Sequence, residues 1–247
     1  MSESAPDLTI LVPVYNEAGN IGPLTQEIHE VIGEAIHFEL VFVNDGSTDG
    51  SAGELAEAKR RYQDVRVVGH SRRSGKSAAL WTGKRVSRGR WIQTLDGDRQ
   101  NDPADVLTLW RHLHEAGLPD TRLGIVAGQR KRRNDGAFKW LQSRIANGMR
   151  STLLKDGTRD TGCGFKLMRR EAFDDVPFFD GMHRFLPALV RRAGWDVLQY
   201  PVNDRPRVEG TSKYGFLGRL GAGIYDLLGV IWLMRRGTFP PERTGDL

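Results

Sequence analysis

The chain has 247 residues, of which 39% are hydrophobic and 27% charged, a composition typical of a folded globular protein and not of a disordered or fibrous one. A single cysteine, Cys163, excludes an internal disulfide, and no Cys/His cluster has the spacing of a zinc site. The polar, acidic N-terminus disfavours a secretory signal, so a reducing cytoplasm is expected.

Charge is distributed unevenly along the chain. Residues 1–120 hold 13 Lys/Arg and 18 Asp/Glu, whereas residues 121–247 hold 23 Lys/Arg and 13 Asp/Glu. A basic second half favours an anionic partner, which by composition alone is a nucleic acid, an anionic lipid or a phosphorylated substrate.

The first half alternates strand and helix patterns. Apolar runs too short for helices predict strands over Leu8–Val14, Phe38–Val43, Val65–Gly69, Trp91–Leu95 and Leu123–Ala127. Apolar spacings of three and four predict helices over Ile21–Ile32, Glu54–Tyr62 and Ser77–Val86 and a further helix starting at Pro103. This order predicts an α/β fold with a mostly parallel sheet flanked by helices, in which ligands bind at the carboxyl ends of the strands.

The second half is less regular. A helix is predicted over Phe138–Leu154, a strand over Gly164–Met168, a helix over Phe185–Arg192, a strand over Val197–Val202 and a polar, basic loop over Arg205–Tyr214. No linker divides this part of the chain into domains.

The longest apolar stretch is Leu220–Met234. Its 15 residues fall short of the about 20 that cross a bilayer as a helix. Basic residues flank it, and one helical stripe collects Leu220, Ile224, Leu227, Leu228 and Ile231, with Trp232 beside it. The pattern predicts an amphipathic helix at a membrane interface, and the alternative is a helix packed on the domain or at a dimer contact.

Asp96 and Asp98 follow a predicted interior strand with only glycine between them. Two carboxylates on one turn can converge on a divalent cation, and Gln100 can add a carbonyl oxygen, so the turn is a candidate Mg²⁺ or Mn²⁺ site. The alternative is an acidic turn that is only solvated and binds no metal ion.

Further polar residues follow the other predicted strands. Asp45 ends the second strand and can accept hydrogen bonds from a base or a ribose, although the segment VNDGSTDG also fits a turn that caps the next helix. The segment Ser74–Ser77 opens a helix and can face a phosphate, but it lacks the upstream glycine of a P-loop.

Four motifs follow one another along the chain: VPVYNE at 12–17, VNDGSTDG at 43–50, GKSAAL at 75–80 and LDGDRQNDP at 95–103. In this order they resemble the GT-A fold (Rossmann-like) glycosyltransferases of family 2. Gly128-Gln129-Arg130, Asp160 before GCGFKLMRRE, and Arg207 six residues before Lys213 resemble the polyprenyl-phosphate glycosyltransferases, a subgroup that includes dolichyl-phosphate mannose synthase.

The resemblance implies roles on the donor side. Four residues are expected to hold the nucleoside: Pro13, Tyr15, Glu17 and Asp45. Lys76, Arg207 and Lys213 are expected to contact the nucleotide-sugar, the last two from a mobile loop. Asp96 and Asp98, with Gln100, would bind the Mg²⁺ or Mn²⁺ ion that bridges the diphosphate.

On the acceptor side, the resemblance places Arg130 and Arg144 against a polyprenyl phosphate. A phosphate monoester is mostly dianionic at neutral pH, so it needs no catalytic base, and Asp160 is then expected to orient the acceptor or the sugar. Displacement at the anomeric carbon would invert it. The base and the sugar stay open.

Two other functions are compatible with parts of the chain. A family 2 transferase acting on a hydroxyl of a glycolipid or polysaccharide would need a carboxylate base, for which Asp160 is the candidate. A basic nucleic-acid-binding module would explain the second half but leaves the acidic pair without a purpose, so no nucleic-acid partner is expected.

The resemblance also carries expectations about organisation and location. A GT-A domain is expected over residues 1–215, with an interfacial helix and tail over residues 216–247. Many bacterial members have C-terminal membrane helices and this chain shows none, so we expect peripheral attachment to the cytoplasmic face of the cell membrane. A small membrane partner protein and homo-oligomerisation are left open.

Overall fold

A computed structural model describes residues 5–117, 122–131, 153–154, 157–158, 160–206 and 216–236, with only the backbone given for 216–222 and 224. The strands are β1 (Leu8–Val14), β2 (Phe38–Asn44), β3 (Val65–Gly69), β4 (Trp91–Thr94), β5 (Leu123–Arg130), β6 (Lys166–Arg169) and β7 (Asp196–Val202). The helices are α1 (Ile21–Ile32), α2 (Ser51–Arg61), α3 (Lys76–Val86), α4 (Pro103–Glu115), α5 (Arg170–Asp174), α6 (Leu186–Arg192) and α7 (Phe216–Arg235).

The seven strands form one sheet in the order β3-β2-β1-β4-β6-β5-β7. Strands β1 to β4 are mutually parallel, and β5 pairs in parallel with β7. Strand β6 runs antiparallel to both β4 and β5. The predicted α/β class and the mostly parallel sheet are therefore confirmed, and β6 brings the second half of the chain beside β4.

Helices cover both faces of the sheet because its strands are apolar on both sides. Helices α1, α2 and α4 pack over one face, around Phe42 and Leu109. Helices α3, α5, α6 and α7 cover the other face, around Phe173 and Leu186. The carboxyl ends of β1, β2 and β4 are left to meet at one edge.

Most of the predicted helix Phe138–Leu154 lies outside the described residues, and the bounds of the other predicted elements agree with the sequence patterns to within a few residues. Helix α2 begins at Ser51 instead of Glu54, and the Ser51 amide donates to the Asp49 carboxylate at 3.0 Å. Strand β5 extends to Arg130 instead of ending at Ala127, because it stays paired with β7 up to Val202. Three predicted site residues lie outside the described residues: Arg144, Arg207 and Lys213.

Helix α7 packs against the domain through one side and exposes apolar side chains on another. Val230 is buried, and Leu227 and Ile231 pack against the core. Leu228 and Trp232 are each 61% exposed and Tyr225 is 79% exposed. The predicted stripe is therefore divided, since Leu227 and Ile231 face the core while Leu228 lies on the outer side. Within the described residues, no helix is both long and apolar enough to span a membrane.

Candidate active site

The loops after β1 and β2 are joined by hydrogen bonds around Asn16. The side-chain oxygen of Asn16 accepts a hydrogen bond from the Thr48 backbone amide at 2.8 Å, and the backbone amide of Asn16 donates to the Ser47 hydroxyl at 3.0 Å. Asn16 has φ of +54°, a left-handed conformation that asparagine tolerates better than most residues. The geometry fixes Tyr15 and Glu17 on either side of it at the edge of the sheet.

Tyr15 and Glu17 have different surroundings. The Arg73 guanidinium lies 4.3 Å from the centre of the Tyr15 ring. Glu17 accepts from the Asn20 side chain at 3.1 Å, and its side chain packs with the Pro13 carbonyl against Gly97, between the two aspartates. Three of the residues expected to hold the nucleoside are thus brought to one place, and Arg73 joins them although the sequence did not single it out.

Asp45 is buried and holds the loop that precedes α3. Its carboxylate accepts hydrogen bonds from the Ser74 amide at 2.8 Å, the Gly75 amide at 2.7 Å and the His70 ring at 2.8 Å. The other nitrogen of His70 lies 2.8 Å from the Thr82 hydroxyl. Asp45 therefore positions the start of α3, and His70 is a further residue that sequence reasoning missed.

Asp96 is held at the end of β4 by three elements. Its amide donates to the Asn101 side chain at 2.8 Å, and its carboxylate forms an ion pair with Lys76 from the first turn of α3. A Cβ atom at Gly164 would collide with this carboxylate. Gly164 thus provides the space that lets the segment before β6 approach the acidic turn.

Asp98 and Gln100 lie on the same turn. Asp98 is buried and accepts from the Gln100 amide at 3.3 Å, while the Gln100 side chain points to the Arg205 carbonyl at 3.4 Å. Arg99, with φ of +61°, directs its guanidinium toward Glu27 of α1 at 3.7 Å. Asp96 and Asp98 thus share one turn, and the side chain of Gln100 is turned toward Arg205.

The acidic turn fits a divalent cation. Its carboxylates are hard oxygen donors of the kind that Mg²⁺ and Mn²⁺ prefer, and Asp96 already holds one cation, the Lys76 ammonium. No group of three or more His, Cys, Asp or Glu side chains suited to a metal is present among the described residues. Asp96 and Asp98 would therefore leave the remaining coordination positions to a ligand such as a diphosphate.

Electrostatics keep this site charged. Burial by itself would raise the pKa of Asp96, but the neighbouring Lys76 and Lys166 ammonium groups hold it below its usual range. His183, from the turn before α6, lies 2.8 Å from the Ser77 hydroxyl, and burial beside these cations lowers its pKa well below 6.5. His183 is therefore neutral at physiological pH.

A second charged cluster surrounds Arg130 at the end of β5. Its guanidinium donates to both oxygens of Asp160, from Nε at 2.7 Å and from Nη2 at 3.0 Å, and its Nη1 lies 3.8 Å from Asp204. Burial by itself would lower the pKa of Arg130, but Asp160 raises it above its ordinary value. Arg130 and Asp160, predicted to act on the acceptor side, thus form one bidentate pair.

Lys166 is a buried cation that sequence reasoning missed, and it lies where it interacts with both clusters. Burial lowers its pKa to about 8, and Asp96 and Asp160 are among the charges that act on it. The sequence did hold a signal, because Lys166 interrupts the apolar run Phe165–Met168 of the predicted strand Gly164–Met168. Nothing comparable in the sequence marked His183.

Substituting Gly164 with alanine is expected to disrupt the acidic turn, because the new Cβ would displace the Asp96 carboxylate. We expect the free energy of unfolding to fall by about 1 to 3 kcal/mol, the usual cost of overpacking, with a weakened affinity for nucleoside diphosphate. Thermal unfolding and calorimetric titration with UDP and Mn²⁺ measure both. Gly53→Ala in α2 is the matched control, since that Cβ meets no atom within 4 Å and UDP affinity should not change.

Comparison with known proteins places the chain in a family. The sequence model of glycosyl transferase family 2 matches residues 9–177. The chain belongs to this family. The match contains Asp45, the acidic turn and the Arg130–Asp160 pair.

Curated relatives of this transferase act on polyprenyl phosphates. Dodecaprenyl-phosphate galacturonate synthase of Rhizobium johnstonii is 33% identical, over 98% of this chain and 71% of the relative. Undecaprenyl-phosphate 4-deoxy-4-formamido-L-arabinose transferase of Enterobacter sp. is 29% identical, over 92% of this chain and 68% of the relative.

A solved structure shares the fold. Glucosyl-3-phosphoglycerate synthase of Mycobacterium tuberculosis, in complex with Mn²⁺, UDP and glucosyl-3-phosphoglycerate, aligns with a TM-score of 0.66 at 18% identity. The alignment covers 96% of this chain and 82% of that chain. The expected GT-A fold is thereby confirmed.

Proposed function

We propose that this family 2 transferase moves a sugar from a nucleoside-diphosphate sugar to a polyprenyl phosphate, with inversion at the anomeric carbon. The observation that carries the proposal is the bidentate pairing of Arg130 with Asp160 at the same end of the sheet as the acidic turn. The function of both curated relatives supports the same acceptor class.

The Arg130–Asp160 pair argues for an acceptor that needs no base. Both carboxylate oxygens of Asp160 accept from a permanently charged guanidinium, which makes Asp160 a poor proton acceptor. A hydroxyl acceptor needs such a base, whereas a phosphate monoester, with a second pKa of about 6, is already dianionic at neutral pH. Nη1 of Arg130 takes no part in this pair and lies 3.8 Å from Asp204, and we assign Arg130 to the acceptor phosphate, with Arg144 as a second cation.

On the donor side, the loops after β1 and β2 hold the nucleoside. Tyr15 supplies an aromatic face, Pro13 and Glu17 border the acidic turn, and Asp45 acts through the Ser74 and Gly75 amides that it fixes. Lys76 pairs with Asp96 from the first turn of α3, and we assign its ammonium to the diphosphate. Arg207 and Lys213, which lie outside the described residues, are assigned to donor contacts.

The reaction balances without a proton transfer. A phosphate oxygen of the acceptor bonds to the anomeric carbon while the bond from that carbon to the β-phosphate oxygen breaks, and the nucleoside diphosphate leaves with the electron pair. Asp96 and Asp98 would hold a divalent metal ion, which would supply Lewis-acid stabilisation of that leaving charge. The protein contributes orientation and fixed charges.

Nucleoside-diphosphate release tests the proposal. The purified protein is given a panel of UDP- and GDP-sugars with Mn²⁺, in detergent, with undecaprenyl phosphate, with undecaprenol or with no lipid. We expect release from one donor only when the phosphorylated lipid is present, and its loss with EDTA. Equal release with undecaprenol would replace the phosphate acceptor by a hydroxyl acceptor.

We also propose that α7 holds the protein on the cytoplasmic face of the membrane. The outer side of α7 presents Tyr225, Leu228 and Trp232, side chains that favour the interface between lipid headgroups and acyl chains. Arg235 and Arg236 lie at the C-terminal end of the helix, and basic side chains favour anionic headgroups. Asp226 does not oppose this attachment, since it pairs with Arg184 of the domain at 2.5 Å.

The double substitution Leu228→Glu and Trp232→Glu is expected to release the protein from anionic vesicles. Flotation with phosphatidylglycerol vesicles should show binding weakened by about 10-fold or more, because both exposed apolar side chains are lost and two negative charges are added. Thr108→Glu, on α4 at the opposite face of the sheet, is the control and should bind like the unaltered chain. Unchanged flotation of the double variant would contradict the role of α7.

A further inference from the structure

Lys166 is a buried ammonium group between the donor side and the acceptor side of the site. It is 5% exposed and lies on β6, directly across from Thr94 of β4 and Ala127 of β5. Strand β4 leads into Asp96, and β5 ends at Arg130. The side chain lies on the sheet face covered by α3, because its neighbours Phe165 and Leu167 belong to the opposite core.

The hydrogen bonding of Lys166 is incomplete. Its Nζ donates to the Cys163 carbonyl, and an ammonium carries three donors. Within the described part of the chain, no further acceptor and no carboxylate within 4 Å accompany it. The other two N–H groups of this ammonium therefore have no partner within the described part of the chain.

Leaving this charge buried has a cost that a suitable ligand would remove. A buried cation is stable when it is paired and hydrogen-bonded, and the two carboxylates that act on Lys166, Asp96 and Asp160, are engaged with Lys76 and Arg130. A sugar hydroxyl would satisfy a donor but leave the charge unneutralised. A carboxylate would do both.

We propose that Lys166 binds the carboxylate of a uronic acid on the donor, so that the transferase selects nucleoside-diphosphate uronates over the corresponding neutral hexoses. This inference rests on the proposed function, which leaves the sugar open. The position favours the sugar over the diphosphate, because Lys76 and the acidic turn already face the diphosphate. Lys166 lies between them and the acceptor pair, where the transferred sugar has to sit.

The test uses donor pairs that differ only at the sixth carbon: UDP-galacturonate against UDP-galactose and UDP-glucuronate against UDP-glucose. Donor affinity is measured by calorimetry on the full chain with Mn²⁺, and KM and kcat by UDP release with undecaprenyl phosphate. The variants are Lys166→Met, which keeps the length without the charge, and Lys166→Arg, which keeps the charge.

We expect the unaltered chain to prefer one uronate over its neutral partner. In Lys166→Met, the affinity for that uronate should fall by about 10- to 100-fold, the value of a charge-assisted hydrogen bond, while the affinity for the neutral partner stays nearly constant. Lys166→Arg should keep part of the preference. The two donors of a pair bind the same folded protein. If Lys166 had a purely structural role, its loss would therefore lower the affinity for both donors equally.

The inference is overturned if the unaltered chain shows no uronate preference, if Lys166→Met weakens both donors of a pair alike, or if it weakens UDP itself by the same factor. The first result comes from the unaltered chain and does not depend on how a variant folds. Lipid-phosphate-dependent transfer of a neutral hexose would leave the proposed function intact. Absence of lipid-dependent release from every donor would instead contradict the proposed function, and calorimetry would still measure the uronate preference.

Discussion

Replacing Asp98 with asparagine is expected to lower nucleoside-diphosphate release by about 10³-fold or more, because the acidic turn would lose one of its two carboxylates and with it the stabilisation of the leaving diphosphate. Asp98 is buried on a turn that Asn101 also fixes through the Asp96 amide, so asparagine should occupy the same place. Release assays measure the rate, and the Mn²⁺ electron paramagnetic resonance signal, with and without UDP, measures metal binding.

The matched control is Asp64→Asn at the opposite edge of the sheet, where Asp64 pairs with His29 at 3.0 Å. It removes the same charge, and we expect it to leave turnover and Mn²⁺ binding unchanged. If Asp98→Asn keeps its normal turnover in the presence of Mn²⁺, the acidic turn does not hold the metal, and the assignment of the diphosphate site to this turn is wrong.

Replacing Arg130 is expected to affect the acceptor and the stability together. Arg130→Ala leaves the buried Asp160 without its partner, which we expect to lower the free energy of unfolding by about 3 to 5 kcal/mol. Arg130→Lys keeps the charge without the bidentate geometry, so it is the better kinetic probe, and the acceptor KM should rise by about 10- to 100-fold. Lipid-phosphate titration and thermal unfolding measure the two effects, and an unchanged acceptor KM would remove Arg130 from the acceptor site.

Asp160→Asn separates the two acceptor classes. If Asp160 orients Arg130, its loss should raise the acceptor KM and leave the shape of the pH profile of kcat unchanged. If Asp160 were the base of a hydroxyl-directed transferase, kcat would fall steeply and the acidic limb of that profile would disappear. A lost acidic limb would therefore favour the hydroxyl acceptor.

Much of the fold could be predicted because its signals are local. The run Leu8–Val14 and the spacing of Ile21, Leu24 and Ile28 follow the periods of a strand and a helix, and both elements have the predicted bounds. Pro103 starts α4 as predicted, with Asp102 capping it through the Ala104 amide at 2.9 Å. The candidate residues at strand ends were also accessible to this reasoning, since parallel strands present their carboxyl ends at one edge.

The packing of side chains was not accessible in the same way. Leu227 and Leu228 are chemically alike and adjacent, yet one packs on the core and the other is exposed. Asp45 satisfies the amides of Ser74 and Gly75, residues 29 and 30 positions away, so its role as a positioning residue depends on how β2 lies beside that loop. The burial or the role of such a residue depends on which distant segment of the chain packs against it, and hydrophobic periodicity does not carry that information.

The sequence by itself determined the alternation of strands and helices, the family motifs and the acidic turn, because each is written in residues close together in the chain. The tertiary structure decided the pairing of Arg130 with Asp160, the ion pair between Lys76 and Asp96 and the burial of Lys166 between them. The burial of Lys166 depends on β6 entering the sheet antiparallel between β4 and β5, which pairs Lys166 with Thr94, 72 positions earlier, and with Ala127, 39 positions earlier. Charges that the chain separates become one site only through that long-range pairing.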